Sequence, residues 1–313
     1  MDPLPLFFAL GLLARVARSD LRVPEALYEA LSLVLLLSIG LKGGVELARQ
    51  PVATYLPHIL AALLLGFTLP LVAYPVLRRV GRMGVADAAS IAAHYGSVSV
   101  VTFAAASAFM ERRGWAVEGV LTLMLVLMEV PGILCGIVLA RRFGSEDPGA
   151  RARDWLVELL TGRSVVLLLG GLAIGWLSGE QKLAPAGVLF FGLFKGLLAV
   201  FLLEMGLVVG GRLRTLREAG PFLVAFGVGM PLVGASLGLC AGSLLHLSKG
   251  GAAVLATLCA SASYIAAPAA LRVAVPSANP ALSLGAALGI TFPFNLLVGI
   301  PLYAAAAERF FAR

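Results

Sequence analysis

Ten apolar runs, separated by short stretches rich in charge, glycine or proline, occupy most of the chain and restrict the folds open to it. A helix needs about 20 apolar residues to cross the hydrocarbon core of a bilayer. Hydrophobic residues make up 60% of the 313, charged residues only 13%, and the mean hydropathy is +0.96. The sequence therefore predicts an all-α integral membrane protein with ten transmembrane helices. We place the spans at residues 4–17, 26–47, 53–77, 84–110, 117–140, 163–178, 186–210, 220–246, 250–271 and 280–307.

The first and sixth runs are the shortest, and each opens one half of the chain. With only about fourteen apolar residues, each falls short of the length that a straight crossing needs. We therefore expect both helices to be distorted, tilted or sunk among their neighbours.

The distribution of Lys and Arg predicts the orientation in the membrane. The connections on one side carry fifteen of these residues and those on the other side seven. Because cytoplasmic loops are enriched in Lys and Arg, the richer side should be cytoplasmic, which places both termini outside. The net charge of +7 and the pI near 9.7 would also suit a nucleic-acid partner. The arginines are spread in twos and threes between apolar runs, so topology explains them better and we expect no nucleic-acid binding.

The two halves of the chain resemble each other. Residues 93–100 (AHYGSVSV) correspond to residues 257–264 (TLCASASY) at a spacing of 164. Residues 40–46 echo 206–212 at a spacing of 166, and 129–131 can be laid on 291–293 at 162. An odd number of spans in each half forces the halves to insert with opposite orientation, so we predict a 5+5 inverted repeat. Its parts are a first repeat at 1–144, a cytoplasmic linker at 145–162 and a second repeat at 163–313.

The paired serine-spaced stretches in spans four and nine are the candidate solute site. Ser97 and Ser99 would point about 200° apart on an unbroken helix, so both can face one ligand only if the helix is interrupted. Gly96 lowers the cost of irregular backbone in the first stretch, and Pro268 removes a hydrogen bond in the second. Freed amides and half-helix N-termini attract an anion, whereas freed carbonyls and hydroxyls suit sodium. Small residues also let helices pack closely, but two such clusters in register favour a site.

Ionisable and amide side chains inside the membrane are further candidates, because they are costly there and usually functional. Glu129 is the best candidate for an ion ligand or its close neighbour. Asn295 can coordinate sodium or tie down a broken helix. Lys195 and Glu204 fit an interhelix pair or snorkelling as well as a transport role. Asp87 is explained better as a helix cap near Gly84 than by a role in transport. His94 is explained better by packing or hydrogen bonding than by proton relay.

The central parts of spans four and nine contain no Lys or Arg. A bound anion would therefore lack a fixed counter-charge other than backbone dipoles, and a co-bound cation would supply one. This favours cation-coupled symport of an anion and leaves uncharged solutes open.

Long ordered strings of the sequence resemble the SbtA-type sodium-dependent bicarbonate transporters. The strings lie at residues 35–46, 87–102, 127–131, 193–196, 201–206, 260–270 and 291–295. The resemblance implies a ten-helix inverted-repeat carrier with a core domain, a gate domain and broken core helices, often trimeric, that imports bicarbonate with sodium. It places the substrate where the broken helices meet, at Gly96, Ser97, Ser99, Ser261, Ala262 and Ser263. It places sodium, the one metal ion expected, at Ser99, Thr102, Glu129 and Asn295.

The resemblance also implies a cytoplasmic PII-like regulator, SbtB, and no cofactor other than the coupling sodium ion. Another small anion remains an alternative cargo. Two rival classes are a channel, which flux measurements distinguish from a carrier, and an intramembrane hydrolase. A hydrolase would use Ser97 or Ser99 with His94 or His246 as base, but the GxSxG context is missing, so we expect no enzyme.

Overall fold

The computed structural model describes residues 3–49, 51–144, 161–211 and 220–311. Within these ranges the regular structure is helical throughout, and no strand occurs. The predicted linker at 145–162 lies outside the described residues except for its last two positions.

Twelve helical elements carry the described fold, and we number them in chain order. They are α1 (Pro3–Val16), α2 (Glu25–Leu47), α3 (Leu56–Pro75, followed by a π-helical turn at Val76–Val80), α4 (Val85–Gly96), α5 (Val100–Arg112), α6 (Val120–Phe143), α7 (Arg163–Leu183), α8 (Phe194–Gly211, preceded by a π-helical turn at Val188–Gly192), α9 (Gly220–Leu244), α10 (Lys249–Ala260), α11 (Ala266–Ala274) and α12 (Pro280–Phe310, alternating α and π turns).

Seven helical stretches of the described residues are long and apolar enough to cross a membrane. They are Glu25–Leu47, Ala53–Val80, Val85–Arg112, Val120–Phe143, Phe194–Gly211, Gly220–Leu244 and Pro280–Phe310. Helices Pro3–Val16 and Lys249–Ala260 are apolar but shorter. The prediction of an all-α multi-pass membrane protein is confirmed by this arrangement.

The two helices that open the halves depart from a straight crossing of full length, as expected. Helix α1 has 14 residues, too few for a straight crossing. Helix α7 spans Arg163–Leu183, but it contains a non-helical residue at Gly179 (φ 67°, ψ 175°), where two helical segments meet at a kink. The first segment ends at residue 178, where the apolar run of the predicted sixth span also ends. The expected distortion of this helix is therefore confirmed.

Helices α1, α2, α7 and α8 form one layer through two similar crossings. Helix α1 packs most extensively on α8, and α2 packs most extensively on α7. Both crossings are so close that only glycine fits at the contact point. A Cβ at Gly206 would lie 2.1 Å from the carbonyl oxygen of Phe8, and a Cβ at Gly40 would lie 2.6 Å from the carbonyl oxygen of Leu168. Gly40 and Gly206 are the residues that the sequence alignment pairs.

The other helices form a second layer around the interrupted spans. Helix α6 packs on α3 and α4, α9 packs on α10, and α10 also contacts α5 and the end of α12. Within the stretch from Val85 to Arg112, residues 88–106 are all buried in this layer. The interruptions of spans four and nine therefore lie at the centre of the protein.

Candidate functional site: two interrupted helices

The first interruption separates α4 from α5. Helix α4 ends at Gly96, Ser97 and Ser99 have extended backbones, and α5 begins at Val100. The Ser99 hydroxyl caps α5, because its oxygen accepts hydrogen bonds from the Thr102 amide (3.2 Å) and the Thr102 hydroxyl (2.9 Å). The sequence prediction of a break at these serines is confirmed.

The second interruption separates α10 from α11. Helix α10 ends at Ala260, Ser261 is extended, and α11 begins at Ala266. The Ser263 hydroxyl accepts a hydrogen bond from the Ala267 amide at 3.2 Å. Ala262 lies between the two serines and is buried. Pro268 lies in the first turn of α11, where an amide has no intrahelical acceptor, so this proline starts the second half-helix and does not remove a bond within it.

Hydrogen bonds join the two interruptions directly. The Ser99 amide donates to the Ser261 hydroxyl oxygen at 2.9 Å, and the Ser263 amide donates to the His94 carbonyl oxygen at 2.8 Å. The Ser261 hydroxyl donates in turn to the Leu258 carbonyl at 2.8 Å. The breaks therefore meet, as predicted, but two of the freed amides bind the opposite break and are not available to a solute.

Gly96 is needed for close packing. A Cβ at Gly96 would lie 2.6 Å from Pro70 Cδ and 2.7 Å from Gly132 Cα, and one at Gly132 would lie 2.0 Å from the Gly96 carbonyl carbon. The described glycines with positive φ are elsewhere, at Gly114, Gly179 and Gly220. The expected role of Gly96, to permit irregular backbone, is therefore replaced by contact between the backbones of α4 and α6.

Helix α12 holds the end of α10 through Asn295. Its amide nitrogen donates to the Ala260 carbonyl at 2.8 Å, and its carboxamide oxygen accepts from the Tyr303 hydroxyl at 2.8 Å. All three groups are deeply buried. Of the two roles considered for Asn295, the hydrogen bonds support the tether of the broken helix, and sodium coordination stays a prediction.

A second tether from α12 holds the end of α4. The Thr291 hydroxyl donates to the Gly227 carbonyl at 2.7 Å, so the Tyr95 hydroxyl, 2.6 Å away, is the donor to the Thr291 oxygen. Sequence reasoning did not select Tyr95 or Tyr303. The sequence shows each of them only as a tyrosine within an apolar span. A tyrosine there can either donate a buried hydrogen bond or lie at the membrane interface, and the sequence alone does not distinguish the two.

Among the described residues, four buried polar atoms around the two interruptions have no hydrogen-bond partner. They are Ser97 Oγ, Glu129 Oε2, His94 Nε2 and Tyr264 Oη. The first three belong to residues that are at most 3% exposed. His94 Nδ1 lies 2.8 Å from the Ser90 carbonyl and must donate to it, which leaves Nε2 of a neutral ring as an acceptor. Unsatisfied buried polar groups are costly, so each of these atoms calls for a ligand, a proton or an ordered water.

A small cavity of about 20 Å³ lies beside the interruptions, between the two layers. One wall is formed by the first residues of α5 and the residue before α11, and the other by apolar side chains of α2 and α8: Val100, Val101 and Ile265 against Leu35, Leu198 and Phe201. A vestibule of about 320 Å³ shares Ile39 and Ala104 with this cavity. The vestibule lies toward the membrane face that the charge distribution predicts to be outside.

Ion pairs cross the vestibule between the two layers. Glu111, near the end of α5, pairs with Lys42 of α2 and, at 3.5 Å, with Lys195 of α8. Lys195 therefore forms an interhelix ion pair, one of the roles that sequence reasoning considered for it. Asp87 is not a side-chain cap of α4, since its carboxylate accepts from the Asn279 amide at 2.7 Å and holds the start of α12.

An all-helical multi-pass membrane protein with two interrupted helices meeting at its centre has the architecture of a secondary transporter. A family model described as the Na+-dependent bicarbonate transporter superfamily matches residues 3–308, and the chain belongs to this family. Membership agrees with the resemblance seen in the sequence and makes the protein a transporter and not an enzyme. No curated protein matches the chain.

Proposed function

We propose that the protein imports bicarbonate by sodium-coupled symport with alternating access. The observation that carries this proposal is the meeting of two interrupted helices at the buried centre of a chain that belongs to this transporter family. Helix N-termini carry a positive partial charge, which suits a small anion in the absence of Lys or Arg. Substrate contacts are assigned to Gly96, Ser97, Ser99, Ser261, Ala262 and Ser263.

The coupling cation is assigned to the same region, with sodium bound by Ser99, Thr102, Glu129 and Asn295. Hydroxyl, carboxylate and amide oxygens are the ligands that a hard cation prefers. The cation would also supply the counter-charge that the anion otherwise lacks.

The ten helical spans are proposed to form a 5+5 inverted repeat with two domains. The gate would contain α1, α2, α7 and α8, and the core the remaining helices. Two pairs of contacts support the symmetry. The α1–α8 crossing corresponds to the α7–α2 crossing, with Gly206 and Gly40 in equivalent places. On one face of the membrane, the Asp87 carboxylate at the start of span four accepts a hydrogen bond from the Asn279 amide before span ten. On the other face, the Glu118 carboxylate at the start of span five accepts one from the Ser248 amide before span nine.

Alternating access would occur by movement of the gate against the core around the fixed central site. The external vestibule gives the solute its approach in the conformation described. The ion pairs from Glu111 to Lys42 and Lys195 join gate and core there, so they would rearrange during each cycle.

We further propose that the protein is a homotrimer in a bacterial plasma membrane, with both termini outside. An SbtB-type regulator is proposed to bind its cytoplasmic face. These points come from the family resemblance and the charge distribution. Residues 145–160 of the linker at 145–162, which is on the proposed regulatory face, lie outside the described residues.

Uptake of labelled bicarbonate into proteoliposomes tests the function. We expect an inward sodium gradient to stimulate saturable uptake, because the cation completes the anion site. Replacing sodium with choline should remove the stimulation. Uptake that is equal in both salts would contradict sodium coupling, an ohmic bicarbonate current would indicate a channel, and sodium-driven uptake of a different anion alone would assign another cargo.

A further inference from the structure

We propose that the vestibule contains a second anion site, formed by Lys42 and Lys195, at which incoming bicarbonate displaces the carboxylate of Glu111. The cargo and the direction of approach in this proposal rest on the proposed function. The two lysines, called the lysine site below, lie outside the interrupted helices. Glu111 is then an internal competitor that keeps the lysine site weak.

The two oxygens of the Glu111 carboxylate are bound by different lysines. Oε1 contacts Lys42 Nζ of α2, and Oε2 lies 3.5 Å from Lys195 Nζ of α8. Two ammonium groups therefore hold one planar carboxylate, with one oxygen each. Bicarbonate presents the same group, a planar carbon with two oxygens that share one negative charge. The lysine site is thus occupied by a side chain of the same chemical class as the proposed cargo.

The lysine site carries one more positive charge than Glu111 neutralises. Each ammonium has three N–H groups, and its contact with Glu111 uses one of them. The side chains of Lys42 and Lys195 are 61% and 52% exposed, and that of Glu111 is 31% exposed. A small anion in the vestibule can therefore reach the two lysines, and it meets a local excess of positive charge there.

The other acids that line the vestibule have donors of their own. Arg49, further along α2, pairs with both Glu46 and Glu180 at 3.1 Å. The Ser248 amide donates to Glu118. These three acids therefore do not compete for the two lysines, and Glu111 remains the acid that an incoming anion has to displace.

The lysine site is separate from the interruptions but opens toward them. Glu111 follows Ser99 by 12 positions, which is about 18 Å along α5. Ser107 and Ala104 lie between them on the same helix, and both line the vestibule. Ala104 also lines the small cavity beside the interruptions. An anion that leaves the two lysines therefore has a path along α5 toward the central site.

Glu111 competes strongly because it is tethered next to the lysines. A group held in place by a short tether acts at an effective concentration on the order of millimolar. Free bicarbonate therefore displaces it only transiently in the wild-type protein. The lysine site should gain affinity for bicarbonate when the Glu111 carboxylate is removed, and lose it when the lysines are removed.

Protection of a vestibule cysteine from a small neutral thiol reagent tests this expectation. Ser107→Cys, in a Cys240→Ser background, places the thiol one helical turn, about 6 Å, from Glu111. We compare sodium bicarbonate with sodium chloride at equal, low ionic strength. Bicarbonate should not change the rate of modification while Glu111 is present. With Glu111→Gln added, bicarbonate should slow the modification about 5-fold, because both lysines are free to bind it.

The lysines provide the control for this experiment. Adding Lys42→Gln and Lys195→Gln to the Glu111→Gln protein should remove the protection, since no cation then remains at the lysine site. Equal rates in the two salts in Glu111→Gln, or protection that persists without both lysines, would overturn the proposal.

The KM of bicarbonate uptake distinguishes an anion site from ion pairs that only join gate and core. Glu111→Gln and the double variant Lys42→Gln/Lys195→Gln break the same two ion pairs, so each is the matched control of the other. At low salt we expect the first to lower KM about 5-fold and the second to raise it about 5-fold. If the double variant does not fold, either single lysine variant should give a smaller rise. KM shifts in the same direction, or no shift in either variant, would overturn the lysine site.

The outcomes separate the lysine site from the proposed function. Sodium-driven bicarbonate uptake, with no protection at position 107 in Glu111→Gln, would keep the function and overturn the lysine site. Protection at position 107 that depends on the lysines, without sodium-driven bicarbonate uptake, would keep the lysine site and overturn the proposed cargo.

Discussion

Gly132→Ala is expected to abolish transport and to destabilise the protein. The added Cβ would lie 2.0 Å from the carbonyl carbon of Gly96, 2.3 Å from its oxygen and 2.3 Å from the Ser97 nitrogen. All three atoms are backbone, so no side-chain rotation relieves the clash and α6 must separate from the first interruption. Overpacking of this kind costs about 1–3 kcal/mol or more. Uptake in proteoliposomes and thermal unfolding in detergent measure the two effects.

Gly170→Ala provides the matched control for this change. A Cβ at Gly170 would meet nothing within 4 Å, and the residue lies inside α7 with no positive φ. The same substitution there should preserve uptake and raise stability by up to about 1 kcal/mol through helix propensity. Wild-type uptake in Gly132→Ala would show that the contact between α4 and α6 is not needed to form the site.

Asn295→Leu is the second change with a large expected effect. It removes the donor to the Ala260 carbonyl and the acceptor of the Tyr303 hydroxyl, and both remaining groups are buried. Each buried group left without a partner costs about 1–3 kcal/mol, so the loss should be about 2–6 kcal/mol. Because Ala260 ends α10, we also expect the second interruption to lose its position and uptake to fall to background. Thermal unfolding and uptake test these two expectations.

Tyr303→Phe separates the two bonds of Asn295. It removes the hydroxyl that donates to the carboxamide oxygen but leaves the bond to Ala260 intact. We expect a smaller loss of about 1–3 kcal/mol and measurable uptake. If Asn295→Leu were as stable and as active as Tyr303→Phe, the Ala260 tether would have no role in holding the broken helix.

The sequence predicts most of the secondary structure because apolar length and helix breaks leave local signals. The break at Ser97 and Ser99 could be recognised because a similar stretch recurs at Ser261 and Ser263. A single stretch of this kind could equally have been explained by close packing of small residues between helices. The kink in α7 also coincides with a local signal, since Gly179 directly follows the last residue of the predicted sixth span.

Partners in space were harder to predict than positions in the chain. Gly96 was recognised as special, but its reason depends on Gly132 and Pro70, which lie on other helices. Likewise, Asn295 was selected as polar and buried, whereas its bonds to Ala260 and Tyr303 follow only from how α12 packs. The difference between Ser97 and Ser261 was also invisible, since the residue type is the same and only the neighbouring groups differ.

The central claim is that bicarbonate binds where the two interrupted helices meet, beside the small cavity between the two layers. Val101→Cys, in a Cys240→Ser background, places a thiol in the wall of this cavity. Ser107→Cys places one on the same helix in the vestibule and serves as the control. The most direct test is the rate at which a small thiol reagent modifies each cysteine in sodium bicarbonate and in sodium chloride. The account predicts that bicarbonate slows modification at position 101 several-fold and leaves position 107 unchanged. Equal rates at position 101 in the two salts would contradict it.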